Sequence, residues 1–272
     1  MAIQFDPVVV ILLALSAGLY LRAVRRLSKR GYAVPRIQQC CWWFGLSLVA
    51  TGLLGPFAAL SDQLLSAHMA EHLLIADIAA PFLIAGIRTP VGLFMPPKDL
   101  LVAVAKNPTL RGFGSWVTKP IVAVILYIVV LYGWHLAPAF VSATNSPVIH
   151  AMQHQSFLVA NLILWWPALE PARRPMPAPL WKVGYLLGAR MASVMMGAVF
   201  LVSNRPFYGE LYSATAPSHG MSALADQQLG GSLMMVADVV MMLAILGFFF
   251  ARAAAAGAAK DIENDAARES RS

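Results

Sequence analysis

Residues 228–251 read QLGGSLMMVADVVMMLAILGFFFA, an apolar run in which Asp238 is the one charged side chain. About 20 residues of this kind, at 1.5 Å rise each, form a helix that crosses the hydrocarbon core of a bilayer. The whole chain has the same character, since 59% of its 272 residues are hydrophobic and 12% are charged. A soluble domain carries about twice that charged fraction. We therefore predict a membrane protein.

Further runs of this length predict an all-α fold, a polytopic membrane helical bundle of about seven transmembrane helices. We expect one transmembrane domain over residues 1–251 and a short, polar, disordered cytoplasmic tail over residues 252–272. The predicted spans are Pro7–Val24, Ile37–Leu60, Leu64–Ile87, Pro120–Phe140, Val148–Leu169, Trp181–Ser203 and Gln228–Ala251.

The basic residues predict the orientation of these helices. Every lysine and arginine except Arg190 and Arg205 lies after an odd-numbered span. Lysine and arginine accumulate in cytoplasmic loops, so we expect the N-terminus outside and the C-terminus in the cytoplasm. The net charge of +7 then reflects membrane topology, and no nucleic-acid partner is expected. The lysines and arginines predicted on the cytoplasmic side are Arg22, Arg25, Arg26, Lys29, Arg30, Arg36, Arg88, Lys98, Lys106, Arg111, Lys119, Arg173, Arg174, Lys182, Arg252, Lys260, Arg268 and Arg271.

Two histidine pairs are the strongest candidates for a functional site. His68 and His72 lie near the start of the third span, and His150 and His154 near the start of the fifth. A spacing of four residues places both imidazoles on one face of a helix. The two spans run in the same direction, so the pairs enter the membrane at similar depth. If the helices are neighbours, four imidazoles converge in the outer leaflet.

Histidine is costly to bury in a membrane and marks a functional site by default. A single pair of this spacing is weak evidence, and two pairs at equal depth are much stronger. Imidazole and thioether ligands together favour copper, as Cu(I), over magnesium or calcium. We therefore predict a copper site with His135 and Met69 as auxiliary ligands, in which Glu71 holds the His68 ring by an outer hydrogen bond.

A second polar layer is expected near the middle of the membrane. Asp77, Asn161, Arg190 and Asp238 fall there, and Arg190 should pair with Asp77 or Asp238 because an unpaired charge is expensive. A structural clamp and a path for protons or ions are both open readings of this layer. Asp226, at the start of the seventh span, is either the N-cap of that helix or a further contact for metal or a partner.

Five blocks of sequence form an ordered series: Ser66–Leu74 with Ala80-Pro81, Trp134–Pro138, His150–Phe157, Leu164–Pro167 and Leu224–Gln228. In this order they resemble the multi-spanning CtaG proteins, which are assembly factors for bacterial cytochrome c oxidase. The resemblance covers roughly residues 60 to 250, and it departs from the pattern at Gln153, where an acidic residue is expected.

The resemblance implies a role in maturing a haem–copper oxidase, through delivery of copper to its catalytic subunit, and no enzymatic activity. It also implies a location in the bacterial inner membrane. The expected partners are oxidase subunits and the lipid bilayer, with a periplasmic copper chaperone as a candidate donor. Two alternatives stay open, a haem-binding electron carrier with bis-histidine ligation and a metal-free assembly scaffold.

Overall fold

The computed structural model describes residues 7–172 and 180–269, with side chains described as far as residue 259. These residues are helical throughout, with short connections and no strand. Among the described residues, five helices are long and apolar enough to cross a membrane, or six if one bent helix pair counts as a span. The predicted fold class, an all-helical membrane bundle, is therefore confirmed. The count of seven spans and the orientation of the termini stay predictions.

Fourteen α-helices, a π-helical segment and a short 3₁₀ turn make up the described chain. The π-helical segment Leu73–Ile78 joins α4 to α5, and the 3₁₀ turn Ala216–His219 precedes α14. The helices are α1 Pro7–Ser28, α2 Arg36–Leu54, α3 Pro56–Leu60, α4 Leu65–His72, α5 Ala79–Gly86, α6 Val91–Phe94, α7 Lys98–Lys106, α8 Pro108–Val117, α9 Pro120–His135, α10 Ala137–Asn145, α11 Pro147–Leu169, α12 Trp181–Val202, α13 Gly209–Tyr212 and α14 Ala223–Glu269.

Two of the seven predicted spans differ from the five long apolar helices. The stretch Pro120–Phe140 is not one helix, because α9 ends at His135 and Pro138 lies in the first turn of α10. Helix α9 meets α8 at a bend of 74°. Helix α11 has 23 residues, which is roughly 34 Å of helix, but its histidines, glutamines and Asn161 lower its hydropathy. Polar residues in a helix of spanning length indicate an interior function rather than a surface position.

The remainder of the sequence-based topology is partly corrected. The expectation of a disordered tail is wrong, since α14 continues to Glu269, and the alanine-rich composition of residues 252–269 favours a helix. The basic connection between Arg88 and Lys119 holds two surface helices, α7 and α8, which bury no side chain. Arg173, Arg174 and Arg271 lie outside the described residues.

Prolines shape the helix that carries the first histidine pair. Pro81 has no N–H to donate to the carbonyl of Asp77, four residues earlier. The turn that ends three residues before Pro81 widens into the π-helical segment Leu73–Ile78, an irregularity that is frequent at functional sites. The residues Leu65–Gly86 still form one continuous helical span. The widened turn follows the histidine pair and contains Asp77, so it sets the rotation of Asp77 relative to the histidines.

Small residues allow α12 and α14 to pack closely. A Cβ atom built on Gly197 would lie 2.8 Å from the carbonyl oxygen of Gly231, and one on Gly231 would lie 2.5 Å from the carbonyl oxygen of Gly197. Backbones at this separation leave no space for a side chain, which is the usual means of close helix association in membranes. This contact fixes α12, which carries Arg190, against α14, which carries Asp238.

The connection between α12 and α14 folds over the end of the bundle that holds the histidines. Tyr208 and Tyr212 are buried, and the Tyr208 ring stacks on Phe140 with centroids 3.9 Å apart. The Tyr208 hydroxyl donates to the carbonyl of His135 at 2.6 Å, and that of Tyr212 donates to the carbonyl of Ser61 at 3.2 Å. This connection is therefore a folded cap over the histidines.

Candidate metal centre

The four histidines of the two predicted pairs meet between α4 and α11. Ring centroids lie 4.3 Å apart within the pair His68 and His72, and 4.2 Å apart within the pair His150 and His154. Across the two helices, His68 lies 5.2 Å from His150 and His72 lies 5.0 Å from His154. The predicted convergence of four imidazoles is therefore present. Helical spacing brings each pair together, and the packing of α11 beside Leu65–Gly86 joins the pairs.

Two overlapping groups of donor atoms occur in this cluster. One ring nitrogen from each of His68, His72 and His150 lies within 4.8 Å of the others, and the same holds for donor atoms of Glu71, His150 and His154. We call these the imidazole set and the carboxylate set. His150 belongs to both. A small cation surrounded by three such atoms would have ordinary coordination distances after modest side-chain movement.

The donor atoms of the cluster are buried without hydrogen-bond partners. Within the part of the chain that the structure describes, this holds for Nε2 of His68, His150 and His154, both ring nitrogens of His72, and Oε2 of Glu71. Native structures satisfy nearly all buried polar atoms, so each exception needs a physical explanation. Six buried polar atoms without partners in one cluster fit a site that binds a cation.

Glu71 has a different position from the one predicted. The expected outer hydrogen bond to His68 is wrong, because the carboxylate reaches across to α11, where Oε1 lies 3.6 Å from Nε2 of His154. Glu71 follows His68 by 300° around a helix of 100° per residue, which turns it toward the neighbouring helix. The side chain is 2% exposed. Glu71 is thus a candidate ligand rather than a support for one.

His135 and Met69 lie on the other side of His72 from His150. His135 donates from Nδ1 to the carbonyl of Leu131 at 2.6 Å, which leaves Nε2 with a free lone pair. Both side chains line a cavity of about 20 Å³ together with His72 and Asp77, a volume that suits about one water molecule. His135 belongs to neither donor set among the described residues. The structure therefore does not place His135 as a ligand of the same ion, and the auxiliary role of Met69 stays a prediction.

Arg190 organises the predicted polar layer. Its guanidinium contacts Asp77 and Asp238, donates to Asn161 at 2.9 Å and lies 4.8 Å from the centre of the Tyr127 ring. Arg190 thus pairs with both candidate carboxylates, on the π-helical segment and on α14. The layer clamps four helical elements together at one depth. Tyr127 had no signal in the sequence, because an aromatic residue in a span is ordinary.

Asp226 is a helix cap, although not for its own helix. Its carboxylate accepts from the backbone N–H groups of Leu65 and Ser66 at 2.6 and 3.0 Å, and from the Ser66 hydroxyl at 2.5 Å. These N–H groups begin α4, the helix that carries His68 and His72. The prediction that Asp226 caps its own helix, α14, is therefore wrong, and a contact with metal or a partner is not needed to explain its burial. A buried anion at the N-terminus of α4 offsets its unpaired donors and the helix dipole.

Replacing Asp226 with alanine should destabilise the protein by about 2 kcal/mol, the upper part of the range for loss of a helix cap. The reason is that three donors of α4 lose their acceptor in a buried place. Unfolding of the detergent-solubilised protein measures the effect. Asp99→Ala, which removes an exposed carboxylate from α7, is the matched control and should leave stability nearly unchanged. An Asp226→Ala protein as stable as this control would contradict the capping role.

Comparison with known proteins gives the chain its relatives. It is similar to an uncharacterized protein of Mycobacterium bovis and to one of Mycobacterium tuberculosis, each 21% identical over 225 residues. The match covers 79% of this chain and 33% of either relative, so the chain spans about a third of the length of the curated relatives it matches. No solved structure matches the chain.

The family described as cytochrome c oxidase caa3 assembly factor (Caa3_CtaG) matches residues 18–256. This range contains all the histidines, both donor sets, the Arg190 layer and the capping Asp226. It also contains the five blocks whose resemblance was noted in the sequence. The chain belongs to the cytochrome c oxidase caa3 assembly factor family.

Proposed function

We propose that this protein binds Cu(I) at the imidazole set and delivers it to a cytochrome c oxidase during assembly. The observation that carries the proposal is the set itself: His68, His72 and His150 present buried, unpartnered nitrogens within 4.8 Å of one another. Three neutral imidazoles leave a bound Cu⁺ with a single net charge. That charge costs far less to bury in a membrane than the charge of a divalent ion held by the same ligands.

The orientation of the site supports delivery from the outer side of the inner membrane. The histidine cluster lies at the end of the bundle opposite the basic connections, and basic connections are typically cytoplasmic. Copper would then enter and leave on the periplasmic side, where a periplasmic copper chaperone is a candidate donor. The recipient would be the copper-containing subunit of the oxidase, met within the bilayer. No covalent chemistry is required, so the proposed role is that of a carrier.

The haem alternative has less support from the geometry. Bis-histidine ligation places a flat macrocycle between the two imidazole rings. The rings across α4 and α11 are 5.0 to 6.5 Å apart and pack against Phe140 and Phe157, which leaves no flat space for a porphyrin between them. In a metal-free scaffold, the buried imidazoles without hydrogen-bond partners would cost free energy that no bound ion offsets.

Copper content of the purified protein is the test of the proposal. Protein purified in detergent under reducing conditions should contain copper, and His72→Ala should lose most of it because one nitrogen of the imidazole set is gone. His219→Ala is the matched control, since His219 lies in the cap and bonds to Gln63 at 2.9 Å. Equal copper content in His72→Ala and wild type would reject the ligand assignment. A visible haem spectrum would favour the electron carrier, and full oxidase copper loading without the four histidines would favour the scaffold.

A further inference from the structure

A cavity leads from the surface of the protein to one side of the histidine cluster. It has a volume of about 240 Å³ and lies between α3, α10 and α11. Its rim includes the exposed residues Asp62 and Gln155, and its floor includes the buried residues Glu71 and His154. The cavity lining contains all three members of the carboxylate set, whereas His68 and His72 are absent from it. The carboxylate set is therefore the part of the cluster that an incoming ion meets first.

The imidazole set lies further inside, behind His150. His68 and His72 are 1% and 6% exposed and pack against Phe140 and Phe157. His150 is only partly buried and contributes a nitrogen to both sets. The His150 ring thus lies between the accessible carboxylate set and the enclosed imidazole set.

The two sets differ in the charge of the ion that each can hold. With Glu71 ionised, the carboxylate set carries one negative charge, so a bound divalent ion leaves a net charge of +1. The imidazole set reaches the same net charge with a monovalent ion. Burial of charge in a membrane is costly, and carboxylate with imidazole suits divalent first-row ions. The carboxylate set should therefore bind divalent ions more tightly than the imidazole set does.

We propose that Glu71, His150 and His154 form a separate entry site for cations, from which the ion passes to the imidazole set with His150 as the shared ligand. This inference rests on the proposed copper function, whose site it extends. Asp62 assists by attracting cations to the mouth of the cavity, since a carboxylate at the entrance of a narrow site raises the local cation concentration. Glu71 is then the residue that distinguishes the entry site from the inner one.

The test compares two ions on three variants of the detergent-purified protein. Co(II), followed by its visible absorption, probes the entry site, and Ag(I), followed by calorimetry, probes the imidazole set as a stable analogue of Cu(I). Glu71→Gln should weaken Co(II) binding by about 100-fold or more, the upper end for changes around a metal, while Ag(I) affinity changes far less. His68→Ala should weaken Ag(I) binding by a similar factor, while Co(II) affinity changes far less. Glu210→Gln, an exposed acid in the cap, should alter neither.

The outcomes separate the entry site from the copper proposal. Wild type that binds Ag(I) without Co(II), or a Glu71→Gln protein that loses both ions equally, would overturn the entry site and leave the copper carrier intact. Wild type that binds neither ion would overturn both. Asp62→Asn gives an independent check that does not disturb the interior: it should slow metal association at low ionic strength, and added salt should remove the difference. Identical association rates at low salt would contradict the role of Asp62.

Discussion

Replacing Arg190 with leucine is expected to destabilise the protein by about 3–5 kcal/mol, the cost of removing one partner from a buried ion pair. The guanidinium contacts Asp77, Asp238 and Asn161 and is 1% exposed. Without it, two carboxylates remain close together in a region that excludes water. The effect should be large because the layer joins α11, α12, α14 and the π-helical segment. Unfolding in mixed detergent micelles is the measurement.

Two companion variants make this result specific. The triple variant Arg190→Leu, Asp77→Asn, Asp238→Asn should recover much of the lost stability, because neutral amides replace uncompensated charges. Arg111→Leu, which changes an exposed arginine on α8, should shift stability by no more than about 0.5 kcal/mol. If Arg190→Leu unfolds like wild type, the polar layer is not a structural clamp. The reading of the layer as a path for protons would then be preferred.

His150→Ala is expected to be the single histidine change that weakens both Cu(I) and Co(II) binding, each by about 100-fold or more given the usual cost of disturbing a metal site. The reason is that His150 belongs to both donor sets, whereas His68 and His154 belong to one each. The variant should lose Ag(I) and Co(II) binding together. Competition with a Cu(I) chelator measures the affinity, with His219→Ala as the matched control.

The comparison of Cu(I) binding by His150→Ala with Cu(I) binding by His154→Ala tests the shared-ligand arrangement. His154→Ala should retain Cu(I) at equilibrium and bind it more slowly, because only the carboxylate set is lost. A protein in which His154→Ala removes Cu(I) while His150→Ala retains it would contradict the shared-ligand arrangement. Near-wild-type helicity of both variants, measured by circular dichroism, excludes misfolding as the cause.

The site itself could be predicted only in part from the sequence. The spacing of four residues in His68–His72 and in His150–His154 follows from helix periodicity, so each pair was recognisable. The role of Glu71 could not be recognised from the sequence, because its partner His154 lies on another helix. Asp226 shows the same limit over a longer separation: it precedes the bulk of α14 and resembles a local cap, yet it accepts from Leu65 and Ser66.

Hydropathy and helical periodicity are properties of continuous stretches of residues, so the amino-acid sequence is enough to identify a helical membrane protein. It is also enough to identify the residues that are too polar to face lipid and must lie inside. Which of these residues meet is visible only in the folded chain: the contact of α11 with the π-helical span, the double pairing of Arg190 and the division of the histidine cluster into two sets. Those arrangements depend on helix rotation and neighbour choice, which the π-helical turn before Pro81 and the close glycine contact of α12 with α14 set through packing.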